Sequence, residues 1–193
     1  VLALPLALLA PRRPARGLAL LGTAALIVAV TAPLTGHATE HPWGRELGIG
    51  LHALHLLGAG LWLGTLFTML VAALWTAGDG DAEAVARLVN SFSPVALTGA
   101  TIAVVAGSLL ALAYVGHLDA LWGSTYGRTL LVKLTLLLAT LALGAWNWRV
   151  LRPRLGTPEA AHALTRSAGV ELLIALCILA ATAVLVALPA PAL

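Results

Sequence analysis

The stretch Leu47–Thr76, LGIGLHALHLLGAGLWLGTLFTMLVAALWT, contains no charged residue over 30 positions. A helix needs about 20 apolar residues to cross a hydrocarbon core about 30 Å thick. This run is long enough to do so, and two histidines lie in its first third. Four more stretches read the same way: 17–34, 93–115, 128–148 and 168–188. Pro189 and Pro191 stop the last one, and Ser93-Pro94 reads as the start of the third, a capping residue followed by proline in the first turn. The expected fold is all-α, a polytopic transmembrane bundle of about five spans in a single membrane domain over 1–193.

Composition agrees. Of 193 residues, 60% are apolar and 10% charged, and mean hydropathy is +0.97. A soluble domain carries about 25% charged residues, and a chain this short cannot hide so much apolar surface from water. A soluble globular protein, a disordered tail and a disulfide scaffold are excluded. An outer-membrane barrel needs alternating strands, which are absent from the pattern. The single cysteine, Cys177, lies within an apolar run and forms no internal disulfide.

Between the second and third spans, Asp79-Gly80-Asp81 reads as a turn. Val85, Leu88, Val89 and Phe92 then recur at helical spacing opposite Glu83, Arg87 and Asn90. The expectation is a short amphipathic helix over 81–92 in the membrane interface. At the other extreme, residues 1–10 (VLALPLALLA) precede Arg12 and Arg13. A signal peptide puts its charge first, so this segment reads as the end of an earlier helix.

The net charge of +3 is not a nucleic-acid footprint, because the basic residues fall between spans and form no stripe. Arg12, Arg13, Arg16, Arg87, Arg149, Arg152, Arg154 and Arg166 share one side, whereas Arg45 and Arg128 share the other, with Lys133 just inside the fourth span. The positive-inside bias puts the first set in the cytoplasm. Trp75, Trp146 and Trp148 then form one aromatic belt, and Trp43 and Trp122 the other.

Of six histidines, His162 is on the Arg-rich side. His37, His41, His52, His55 and His117 are on or near the opposite, outer side. His52 and His55 lie roughly 8 Å and roughly 12 Å inside the second span, three residues apart and so on one face. Polar groups within a span usually face the bundle interior. Imidazoles there suit Cu, Zn, Fe or Ni. Spacing alone leaves metal ligation and plain interhelical hydrogen bonding both open. The candidate metal ligands are His37, His52, His55 and His117. Met69 and Cys177 read as packing residues, Gly60 and Gly64 as a close helix contact, and Glu171 as a structural partner of Arg149 or Arg166. No Ser-His-Asp set, carboxylate pair or phosphate-binding loop suggests an enzyme.

The segment Ser124-Thr125-Tyr126-Gly127-Arg128-Thr129-Leu130-Leu131-Val132-Lys133 resembles the tyrosine-glycine-arginine segment and lysine of the copper resistance D (CopD) family of bacterial membrane proteins. Asn147 with the Arg-rich loop after it, and the helix from Glu171 to Leu188-Pro189, fit the same pattern. Upstream, Leu54-His55-Leu56-Leu57-Gly58-Ala59-Gly60-Leu61-Trp62-Leu63-Gly64 is similar to the family's helix with a histidine seven residues before a tryptophan, and Gly36-His37-Ala38 to the preceding loop. The resemblance covers most of 36–191. It implies copper uptake or tolerance in the bacterial inner membrane, copper at an outer site with His37 and His55 at family-like positions, and a periplasmic copper-binding protein as partner. A haem b-binding electron-transfer protein with histidine axial ligands is the second expectation. A scaffold subunit of a larger membrane complex is the third.

Overall fold

The computed structural model describes residues 14–35, 37–78 and 82–189. The expectation for 1–10, and Arg12 and Arg13, lie outside them. The described residues form helices and turns without strands. The helices are α1 (Pro14–Thr31), α2 (Arg45–Gly78), α3 (Ala82–Val115), the short α4 (Ala120–Gly123), α5 (Thr125–Trp146) and α6 (Pro158–Ala187). Two 3-10 turns, Ala32–Thr35 and His37–Glu40, join α1 to α2. A π-helical turn, Asn147–Leu151, and a 3-10 turn, Arg152–Arg154, follow α5.

Among the described residues, four segments are long and apolar enough to cross a membrane: Arg45–Ala72, Glu83–Val115, Thr125–Arg154 and His162–Ala187. The first expected span, 17–34, overlaps α1, an 18-residue helix that is not among these four. The helix ends follow local chemistry. Ser124 caps α5 by accepting the Gly127 N–H at 2.9 Å. Thr157 caps α6 at the Ala160 N–H, with Pro158 in the first turn. Gly116, at φ 67°, ends α3.

The segment expected to lie in the interface as a separate helix instead runs straight into the third span, giving one helix of 34 residues with Pro94 inside it. Its apolar stripe has protein to pack on. Val85 and Val89 are buried against Leu164 of α6, with Met69, Leu88, Leu151 and Leu155 around them. Proline is tolerated inside a membrane helix because neighbours and local adjustment accommodate the freed carbonyl. The Ser-Pro pair therefore does not start a helix here.

The packing is that of a bundle in lipid. Buried positions are largely small, including Ala100, Ala103, Ala106, Ala113, Ala168 and Ala175, whereas Leu54, Phe67, Leu97, Leu112, Leu138, Leu173 and Val186 face outward. Small residues let backbones approach closely where lipid removes the usual hydrophobic drive. The tightest approach joins α2 and α3. A Cβ on Gly58 would lie 2.6 Å from the Ala103 nitrogen, and one on Gly99 would lie 2.6 Å from the Trp62 nitrogen. Gly60 and Gly64, the glycines expected at this contact, are exposed with open space around them. Gly58 lies on the facing stripe and they do not. Hydroxyls within the spans, such as Thr65, Ser93, Thr140 and Thr182, donate to the carbonyl four residues back, so none needs a partner in lipid.

The long helices alternate in direction, so the bundle has two chemically distinct ends. At one, Val115, Leu130 and Leu185 pack the end of α3 against the start of α5 and the end of α6. At the other, Arg152 Nε donates to Asn90 Oδ1 at 2.9 Å, tying the turn after α5 to the first half of α3. Most of the histidines belong to the first end and most of the arginines to the second.

Candidate functional site

A cavity of about 310 Å³ opens at the histidine-bearing end. Its polar lining is His52 and His55 from α2, Tyr114 from α3, Tyr126 and Lys133 from α5, and Thr182 from α6. Leu110, Leu130 and Leu185 supply apolar wall. The two histidines thus face the bundle, as the cost of polar groups in lipid requires, and Lys133 faces the same interior.

Both imidazoles are oriented by backbone carbonyls. His55 Nδ1 lies 2.8 Å from the carbonyl oxygen of Ala103 on α3. His52 Nδ1 lies 2.9 Å from the carbonyl oxygen of Gly48, one turn back on α2. A carbonyl only accepts, so each Nδ1 carries a hydrogen, and in the neutral ring Nε2 then carries the lone pair. Metal-ligating histidines are commonly held this way, by donating the other ring N–H to a carbonyl or carboxylate. Gly107 makes room for the His55 ring, since a Cβ there would meet Cε1 at 2.8 Å.

Tyr114 links the cavity to the loop above it. Its ring is buried, 5.7 Å from His52 and 5.2 Å from His41, edge-on to both. His41 is buried and accepts the Trp43 N–H at Nδ1, whereas its Nε2 is enclosed without a hydrogen-bond partner among the described residues. Burial lowers its pKa from 6.5, which favours the neutral ring.

The other candidates fall elsewhere. His117 is exposed in the turn after α3 and does not line the cavity. The backbone of His37 is in the 3-10 turn His37–Glu40, and its side chain lies outside the described residues. Among the described residues, no three His, Cys, Asp or Glu side chains are grouped so as to hold a metal ion. The candidate site is therefore a pair of imidazoles with two tyrosines and a lysine around them. The haem expectation pairs His55 with His37 or His117 as axial ligands; His117 is exposed away from the cavity, and the side chain of His37 lies outside the described residues. Tyr114 and His41 were not assigned from sequence. Their signal is an aromatic at the end of a span and a histidine in the adjoining loop, neither of which reveals burial.

A second cavity, about 390 Å³, lies at the arginine-rich end, where Met69, Asn147, Arg149, Arg152 and Glu171 are on its wall. The expected pairing of Glu171 with Arg149 or Arg166 is not made among the described residues. Its hydrogen-bond partner is Asn147.

These features define a polytopic helical membrane protein with an imidazole-lined cavity at one end of its bundle. The family model "Copper resistance protein D" matches residues 86–185, just over half of the chain, and the chain belongs to that family. It is 30% identical over 159 residues to the copper transport protein CutJ of Bacillus subtilis (strain 168), which is 81% of this chain and 28% of that protein. The chain thus spans little more than a quarter of that relative's length. No solved structure matches it. Family and helices together make it a multi-pass membrane protein of the copper resistance protein D family.

Proposed function

We propose that this chain moves copper across the bacterial inner membrane, for uptake or tolerance, without catalysing a chemical reaction. Copper is its substrate, held in the cavity by the Nε2 atoms of His52 and His55. The observation that carries this reading is two imidazoles on one cavity wall, each oriented by a backbone carbonyl at Nδ1. Imidazole suits copper among other metals, and the family selects copper from that set. The arginine-rich end faces the cytoplasm by the positive-inside bias. The histidine end then faces outward, where a periplasmic copper-binding protein can deliver the ion past His37, His41 and His117.

The test is copper stoichiometry by elemental analysis of the purified chain, with its visible spectrum recorded alongside. Bound copper is expected, with His55→Ala losing most of it and His162→Ala, at the opposite end, losing none. A strong Soret band that depends on His55 would replace copper with haem b. Absence of both signals would leave a scaffold subunit as the better account.

A further inference from the structure

The cavity at the arginine-rich end has no part in holding copper at the histidines, yet it is built around an ionisable group. Glu171 is 6% exposed and sits within the span His162–Ala187. Ionisable groups inside spans are costly, and those that persist mark ion or proton pathways. Asn147 Nδ2 donates to Oε1 of Glu171, and Ser167 Oγ donates to Oδ1 of Asn147 at 2.8 Å. Asn147 is also the first residue of the π-helical turn, a departure from regular helix that is frequent at functional sites.

This network engages one carboxyl oxygen. Among the described residues the other oxygen accepts no hydrogen bond. The charged groups facing the cavity are Glu171 from α6 and Arg149 and Arg152 from the turn region after α5; α2, α3 and α5 face it with uncharged residues such as Thr65, Met69, Ser93 and Thr140. Neither arginine makes an ion pair with Glu171 among the described residues. Arg152 is held elsewhere, by Asn90 and over the Trp148 ring at 3.8 Å.

The chemistry narrows what one open carboxyl oxygen can bind. Glu171 stands on this wall with no imidazole, thiolate or second carboxylate among the residues that line it. Two guanidinium groups on the same wall also oppose a second cation. A proton needs a single lone pair, and binding it removes a charge from the membrane interior. We propose that Glu171 is a proton-exchange site, loaded and unloaded through water in this cavity, and that copper movement through the bundle is accompanied by this proton movement. The step is protonation alone: the carboxylate takes H⁺ from hydronium, leaving water, and returns it to water, with no electrons transferred. The coupling rests on the copper reading above, whereas the proton site does not.

The test is an infrared pH titration of the chain in lipid vesicles, comparing wild type with Glu171→Gln. Signals common to both proteins cancel in the difference. A carboxylic acid C=O band is expected that grows as pH falls and is missing in Glu171→Gln. Asn147→Leu should move the same band to higher frequency, because the acid loses a hydrogen bond. This second variant judges the proposal if Glu171→Gln does not fold. Equal band amplitude in wild type and Glu171→Gln, or a band unmoved by Asn147→Leu, overturns the site. A pH dye trapped in the vesicles then reads the coupling: added copper should change lumenal pH in wild type and not in Glu171→Gln, at unchanged copper stoichiometry. An equal pH response in both overturns the coupling. If wild type binds no copper, the copper reading and the coupling fail together, and the infrared band still decides the proton site.

Discussion

The ring of His55 occupies the place that a side chain on Gly107 would take: a Cβ there would be 2.8 Å from Cε1 and 2.9 Å from Nδ1. The same Nδ1 bonds to Ala103, one turn before Gly107 on α3. Gly107→Ala should therefore displace the imidazole and break its bond to the carbonyl without removing the ligand itself. Losing an orienting partner of a ligating histidine typically costs about 10- to 100-fold in metal affinity. We expect a loss of that size in copper affinity, measured by competition with a chelator of known strength. Unchanged affinity would place copper elsewhere.

The contact between Gly58 and Gly99 gives a stability prediction. Any side chain at either position meets backbone nitrogen or oxygen of the opposite helix at under 3 Å, and backbone cannot swing aside. Gly58→Val or Gly99→Val should cost about 1–3 kcal/mol or more, the usual range for overpacking. Gly60→Ala, in open space, should be neutral or slightly stabilising, since alanine is the better helix former. Thermal unfolding in detergent separates the two outcomes.

The helical class and the long apolar segments were legible in the sequence because unbroken hydropathy admits few other solutions. Facing was harder to read. Gly60 and Gly64 carry the familiar spacing, yet Gly58 makes the contact, because the tertiary rotation of α2 and not the motif selects the face. The segment 82–92 has the amphipathic pattern of an interfacial helix, but Leu164 and Leu151 offered its apolar stripe a protein surface, and hydropathy does not encode partners. His52 and His55 were placed correctly on one inward face by their three-residue spacing. That His117 is exposed while His41 is buried under Tyr114 depends on the loop path, which leaves no periodic trace.

Orientation is open to direct test. Glu40 and Glu159 are exposed at opposite ends of the bundle. With Cys177 replaced by alanine, single cysteines at these two positions should react with a membrane-impermeant maleimide from opposite sides, one in intact cells and the other only in inside-out membrane vesicles. Glu40→Cys should label from outside, following the arginine bias. Labelling of both from one side would contradict the alternation of the spans.

His41 gives the pH dependence its sign. Burial lowers its pKa from 6.5, so at mildly acidic pH the unfolded chain binds more protons here than the folded one. Stability then rises with pH across that window. The contribution is complete above about 6.5, the value in the unfolded chain, and is lost as pH falls toward and through the lower folded value. One group can supply a slope of at most about 1.4 kcal/mol per pH unit. His41→Phe keeps an aromatic ring against Tyr114 and Trp43 and removes the titrating nitrogen, so its stability should fall less on acidification. Unfolding midpoints of both proteins between about pH 7.5 and about pH 5.5 give the comparison, and taking the difference removes the shared titration of the other histidines. A wild-type midpoint that falls more steeply than that of His41→Phe is the expected result. Parallel curves would mean that His41 reaches water when the ring is protonated, and that the loop above the cavity opens with it.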